Sequence, residues 1–221
     1  MSNHLKWTEG NSKLQKTSGA DVRVLGYGIP ADFNFELAGE IMNTCPGALA
    51  CRGVCYAKQG SYTWAAVKAA RKHNLDAFIA DPEAFVAGAI ADLERLTRRY
   101  RVVRVHDSGD FFSQSYLDAW CRISGAFPGV VFYAYTKSFH LDWNALPANF
   151  HVTQSMGGRF DVDLDFDFPH ARIFATHEDR IAADYVDGSE SDWPAINGDT
   201  RIGLVYHGNK NLTDAQRKYF A

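Results

Sequence analysis

Three cysteines fall within eleven residues, Cys45-Pro-Gly-Ala-Leu-Ala-Cys51-Arg-Gly-Val-Cys55, and a fourth, Cys121, stands alone. Thiolate sulfur is a soft ligand suited to zinc, copper(I) and iron–sulfur clusters. Three thiolates on one short loop can wrap three corners of a [4Fe–4S] cubane and leave the fourth iron to another ligand. Pro46, Gly47 and Gly53 permit the tight turns that aim sulfurs inward, and Arg52 can offset their charge. Zinc is the competitor. The three-residue gap between Cys51 and Cys55 fits a structural zinc site, but the five-residue gap after Cys45 is wide and no second ligand pair stands at zinc-finger spacing. The remaining alternative is three unliganded cysteines buried as small hydrophobes. Cys121, beside Trp120 on an apolar helical stretch, reads as core, so the expected metal ligands are Cys45, Cys51 and Cys55.

Such a loop needs a scaffold. Strands are predicted over Val22–Gly26, Arg101–His106, Val130–Tyr135, Phe150–Gln154, Ala171–Thr176 and Ile202–Tyr206. Helices are predicted from Thr63 to Ala80, from the Asp81 cap and Pro82 to Arg99, and from Ser115 to Ser124. Strands alternating with helices or loops indicate a mainly parallel sheet. The helices between the last strands are weak, so the expected fold is α/β, a partial or irregular (β/α) barrel with a cysteine-bearing loop near the N-terminus. One domain spans residues 1–221: a polar arm over 1–20, a metal-binding loop over 43–60 and a strand-rich barrel half over 100–207.

In parallel α/β sheets, chemistry sits at the C-terminal strand ends. Those ends read His106-Asp-Ser-Gly-Asp110, Thr136-Lys-Ser138, Gln154-Ser-Met-Gly-Gly158, Thr176-His-Glu178 and His207-Gly-Asn209. Asp110 can bind an amino or hydroxyl group, His106 can ligate or carry a proton, and Lys137 can hold a carboxylate or phosphate. These three are the expected catalytic residues. Ser108, Gly109, Gln154, Ser155 and His177 are the expected cofactor-binding residues. The competing reading is ordinary turn chemistry, with Asp110 capping the segment that follows it.

Composition narrows the classes. A chain of 221 residues buries about 70% of its unfolded surface and needs no staple to fold. Aromatic content of 14% and a net charge of −3 exclude disorder. The 23 basic against 26 acidic residues give no electrostatic case for nucleic acid as a partner, and the basic run Arg95–Arg104 lacks an aromatic stacking platform. Met1–Lys16 is polar, without the apolar core of a signal peptide, and the longest nearly apolar run, Gly129–Tyr135, falls far short of the ~20 residues that span a bilayer. The expectation is a cytoplasmic protein with no membrane contact, a setting in which clustered cysteines bind metal or catalyse. Asp161–Asp167 alternates acidic and apolar residues and reads as a half-exposed strand or solvated loop, lacking the glycine of a calcium loop.

Thr44-Cys-Pro-Gly-Ala48, Cys51-x₃-Cys55-Tyr-Ala57, His106-Asp-Ser-Gly-Asp-Phe111 and Phe132-Tyr-Ala-Tyr-Thr-Lys-Ser138 together resemble the bacteriophage "gene product 88" family, from about Asn11 to His207. The resemblance implies a phage-encoded protein working in the host cytoplasm. The chain is also similar, more weakly, to radical S-adenosylmethionine enzymes. They combine a three-cysteine loop near the N-terminus with a partial (β/α) barrel, and the methionine moiety of their cofactor chelates the fourth iron. Their loop has gaps of three and two residues where this one has five and three, and Ser108-Gly109-Asp110 is the substitute for their glycine-rich motif. The second resemblance, with the cysteine loop itself, implies a [4Fe–4S] protein whose open iron takes S-adenosylmethionine or another small molecule for radical or redox chemistry. The alternative is a non-catalytic zinc or iron–sulfur protein that modulates a host partner.

Overall fold

The computed structural model describes residues 4–9, 12–19 and 22–206. The strand tip His207–Asn209 and part of the polar arm lie outside the described residues. In chain order the elements are α1 (Ser12–Thr17), β1 (Val24–Tyr27), a hairpin of β2 (Asn34–Leu37) and β3 (Glu40–Asn43), α2 (Ala65–Ala80), α3 (Pro82–Leu96), β4 (Val102–Val105), α4 (Gln114–Gly125), β5 (Val131–Thr136), β6 (Phe150–Ser155), β7 (His170–Phe174), α5 (His177–Ala182), β8 (Val186–Asp187), α6 (Trp193–Asn197) and β9 (Arg201–Val205).

Local chemistry sets several of these boundaries. The Asp81 carboxylate accepts the backbone N–H groups of Glu83 and Ala84 at 3.0 Å each, with Pro82 in the first turn, so α3 starts where the sequence places it. Ser113 caps α4 in the same way, accepting from Tyr116 N at 3.2 Å. The β2–β3 hairpin was not expected. Ala38 and Gly39, at φ 52° and 84°, form its two-residue turn, and positive φ at both positions matches the right-handed twist of paired strands. Asp161–Asp167 is not a strand: it opens with a 3₁₀ turn, Asp161–Asp163, and continues as loop.

Seven strands form one parallel sheet in the order β1-β4-β5-β6-β7-β9-β8. Apart from the β8–β9 exchange, spatial order follows chain order, so the sheet winds in one direction. A doubly wound sheet would instead reverse at a switch point. Among the described residues the sheet is open: β1 and the two-residue β8 are its edges, and no pairing there closes it into a full barrel.

Both faces are covered, which is why β4 reads as a continuous buried run rather than an alternating one. One face packs Leu25, Tyr27, Val103, Val105 and Phe132 against Leu75 and Phe78 of α2, Phe85 and Leu93 of α3 and Trp120 of α4. Each such side chain contributes about 1.5–3 kcal/mol on full burial. The other face packs Val24, Val102, Tyr133, Ala171 and Ile202 against Leu14 of α1 and Ala195 and Ile196 of α6. The two short helices on this face cover less than the three long ones opposite. The segment carrying the cysteines covers the strand tips instead.

Candidate cluster site at the strand tips

After β3 the chain turns back over the sheet, and each step of the turn is hydrogen-bonded. Thr44 accepts Phe33 N–H through its hydroxyl at 2.9 Å, and its carbonyl accepts Asp110 N–H at 2.9 Å. Asn43 caps the Cys45 N–H at 2.8 Å, and the Cys45 sulfur accepts Asp32 N–H at 3.3 Å. Gly47 then lies flat on the tip of β5: a Cβ there would sit 2.1 Å from the Lys137 carbonyl oxygen. Its own carbonyl accepts Arg159 N–H at 2.8 Å, and Ala48 bridges Gly158. The loop is therefore clamped to the tips of β4, β5 and β6 through Asp110, Lys137 and Gly158. Gly47→Ala is expected to lift the loop from β5 and lower stability by about 1–3 kcal/mol, the usual cost of overpacking. Thermal melts of the two proteins check this.

Past Cys45 the chain makes three short 3₁₀ turns, Ala50–Gly53, Tyr56–Lys58 and Gly60–Thr63, which carry Cys51 and present Cys55 at the start of the second. Burial pushes the Cys45 thiol up to about 12, the Asp110 carboxyl adds to this, the Asp32 N–H opposes it, and Cys55 and Cys51 add further. Burial likewise pushes Cys55 up, with Cys51 contributing. All three sulfurs thus lie within electrostatic reach of one another. Among the described residues, no group of three His, Cys, Asp or Glu side chains is gathered tightly enough to hold a single metal ion.

The Asp110 carboxylate is buried beside Cys45. It accepts Thr136 Oγ1–H at 2.6 Å, Phe111 N–H at 2.8 Å and Lys137 N–H at 2.8 Å. Burial raises it to about 6 against these three donors, so it changes charge in the range where a general acid or base works. The Lys137 ammonium donates to Ser155 O at 2.9 Å, Ser155 Oγ at 3.0 Å and Met156 O, so Lys137 and Ser155 form one unit under the loop.

The other expected residues are placed apart from the thiols. His106 adopts a left-handed φ of 68°, a conformation that histidine takes more readily than most residues, and this ends β4's alternation. Its ring then packs among Phe111, Tyr116, Tyr27 and Trp120 on the helix side, with Nε2 3.1 Å from Tyr116 Oη. Burial lowers it to about 3, so it stays neutral. Ser108 donates to Ile29 O at 2.7 Å and accepts from Arg71, while Gly109 takes φ 84° in the same turn. Gln154 makes two hydrogen bonds to the Asp165 backbone, at 2.6 and 2.9 Å, and so fastens the 157–169 loop. His177 opens α5, half exposed, 3.5 Å from Asp187.

One group escaped sequence reading altogether. Arg104 points into the face opposite the long helices, pairing with Asp192 at 2.8 Å. Lys13 pairs with the same carboxylate at 2.7 Å, and Tyr133 donates to it at 2.8 Å. Next to this cluster, Tyr56 donates to the Asp107 carbonyl at 2.6 Å, and Arg71 pairs with the Asp107 carboxylate at 2.6 Å. The available signal was a single charge inside Val-Val-Arg-Val, because a buried strand carries arginine only when a partner is waiting for it.

A family profile described as "Gene product 88" matches residues 5–218. The "Gene 88 protein" of Mycobacterium phage D29 is 34% identical over 193 residues, covering 76% of this chain and 80% of that one. The "Gene 88 protein" of Mycobacterium phage L5 is 34% identical over 102 residues, covering 42% and 43%. No solved structure matches the chain.

Proposed function

The chain belongs to the gene product 88 family of phage proteins, and from that premise we propose that it is an iron–sulfur protein of the host cytoplasm. In this reading Cys45, Cys51 and Cys55 hold a [4Fe–4S] cluster over a sheet curled as a partial (β/α) barrel. The observation that carries the reading is the clamped loop: three thiols in mutual electrostatic reach, seated at the C-terminal strand ends where parallel sheets do chemistry. The one-way strand order supports the partial barrel, since that is how a barrel begins.

When bound, such a cluster supplies one-electron chemistry and, at an open iron, a place for S-adenosylmethionine or another small molecule. Asp110 is the residue placed to take or hold a proton beside Cys45. Thr136 and two backbone N–H groups fix its carboxylate, so it meets a ligand in one orientation. No helix among the described residues is long and apolar enough to cross a membrane.

Anaerobic purification tests the proposal. A brown protein with about four iron and four sulfide per chain supports it, and a colourless protein carrying one zinc overturns it. A spectral change on adding S-adenosylmethionine separates an enzyme of that class from a cluster carrier.

One observation favours a second reading, a non-catalytic zinc or iron–sulfur protein that binds a host protein. Val162, Phe166 and Phe168 are 92%, 60% and 62% exposed on a loop fastened by Gln154 and Asp161. Rigid exposed apolar side chains are costly on a surface that meets only water.

A further inference from the structure

We infer that the surface over the three 3₁₀ turns and the first turns of α2 binds single-stranded nucleic acid, with bases stacked on Tyr56 and Trp64 and phosphates met by Arg52, Lys58 and Lys68. The inference does not depend on whether the cysteines hold a cluster.

The whole-chain charge of −3 hides an uneven distribution. Residues 41–75 contain Arg52, Lys58, Lys68, Arg71 and Lys72 and no aspartate or glutamate. The fold decides which of these cations face outward. Arg71 is committed to the buried Asp107 carboxylate at 2.6 Å, and Lys72 pairs with Asp76. Arg52 and Lys58 converge on one carboxylate, Asp32, at 3.2 and 2.8 Å, so that corner keeps a net positive charge. Both cations are more exposed than the carboxylate between them. Lys68 is exposed one helical turn beyond Trp64, whose carbonyl accepts its N–H at 3.0 Å.

Two aromatic rings stand open among these charges. Tyr56 is 53% exposed, yet its hydroxyl points inward and donates to the Asp107 carbonyl at 2.6 Å. Tyr62 braces its ring at 5.5 Å, and the Arg71 guanidinium backs Tyr62 at 4.6 Å from the ring centre. Tyr56 is therefore held at its polar end with ring surface left to solvent. Trp64, at the cap of α2, is 66% exposed. Large rings beside exposed cations are the two parts of a single-strand platform, because every base offers a π face and every phosphate a charge. The basic run Arg95–Arg104 has charge without such rings. A membrane surface fits less well: these aromatics sit on 3₁₀ turns and a helix cap rather than along the apolar face of an amphipathic helix.

Fluorescence anisotropy of the full chain with labelled oligothymidylate and oligouridylate tests the inference. At low salt at least one should bind, and its affinity should fall linearly in log[salt]. W64A should lower affinity about fivefold or more without changing the salt slope, since stacking releases no counterions. K68E should lower affinity and reduce the slope by about one. R98E, the same charge change in the run without rings, should leave both nearly unchanged. Trp64 and Lys68 are exposed, so neither substitution disturbs the core. Failure of both oligonucleotides to bind at low salt overturns the inference. So do tighter binding to a duplex, indifference to W64A, or a loss in R98E equal to that in K68E. Binding to phosphatidylserine vesicles in place of the oligonucleotides identifies a membrane-facing patch and overturns it as well.

Discussion

Replacing Cys45, Cys51 or Cys55 singly with serine is expected to remove the brown colour and lower bound iron by about tenfold or more, while Cys121→Ser keeps both. In the proposed cluster the three loop cysteines each hold one corner over the tips of β4 to β6, so the loss of any one would open a corner the other two cannot close. Cys121 sits on α4 against the helix-side core, and burial with help from Asp118 pushes its thiol up to about 11. Its place on α4, away from the strand tips, is what sets it apart from the loop cysteines. The same chemistry sets a pH dependence. Cys45 and Cys55 are both raised above the ordinary thiol range, so they are protonated in the empty protein. Ligation must release those protons, and reconstitution with iron and sulfide should become more favourable as pH rises from 6.5 to 9. Iron analysis across that range checks the direction. Serine variants that keep full iron, or a Cys121 variant that loses it, would sink the assignment.

The parts legible in the sequence were those where one physical rule acted alone. The Asp81-Pro82 start of α3 came from capping chemistry, and the parallel strands came from buried apolar runs between helical segments. Asp110 does lie beside Cys45, while its bonds to Phe111 N–H, Lys137 N–H and Thr136 are also those of the turn chemistry the sequence allowed for it. What escaped depended on tertiary partners. Ala38-Gly39 is a weak turn signal beside Asn-Gly, so the β2–β3 hairpin was hidden. His106 was expected to face the pocket, but a left-handed backbone turned its ring into the aromatic core. Gln154, Ser108 and His177 bind other parts of the chain, as polar turn residues commonly do. Arg104 was read only as the end of the basic run Arg95–Arg104, because its partner Asp192 lies 88 residues away.

That same pair carries the largest stability effect expected. Asp192→Asn should destabilise the protein by about 3–5 kcal/mol at neutral pH, the usual cost of breaking a buried ion pair from one side. Asp192 has no exposed side-chain surface, and it joins four elements. Its carboxylate meets Arg104 of β4 at 2.8 Å, Tyr133 of β5 at 2.8 Å and Lys13 of α1 at 2.7 Å from just ahead of α6, and its backbone N–H donates to Thr17 at 2.8 Å. Asparagine keeps the shape but leaves two cations facing each other without a counter-charge. Burial alone would raise the Asp192 carboxyl, yet Arg104 and Lys13 overcome it and hold the group below its ordinary value. A depressed folded value means the contribution is fully present above the unfolded value of about 3.9 and is lost as pH falls through the folded value. Asp192→Asn should therefore weaken the protein most at neutral pH and progressively less below pH 4. Urea melts at several pH values measure this, and a loss under about 1 kcal/mol at pH 7 would show that the pair is solvated rather than buried. The double variant Arg104→Met with Asp192→Asn should cost less than the sum of the single changes, because each single change strands the other's charge. The consequence reaches the cysteines. Tyr56 follows Cys55 directly and reaches over to the Asp107 carbonyl, three residues beyond Arg104, so loosening this cluster should lower iron retention even though no ligand has changed.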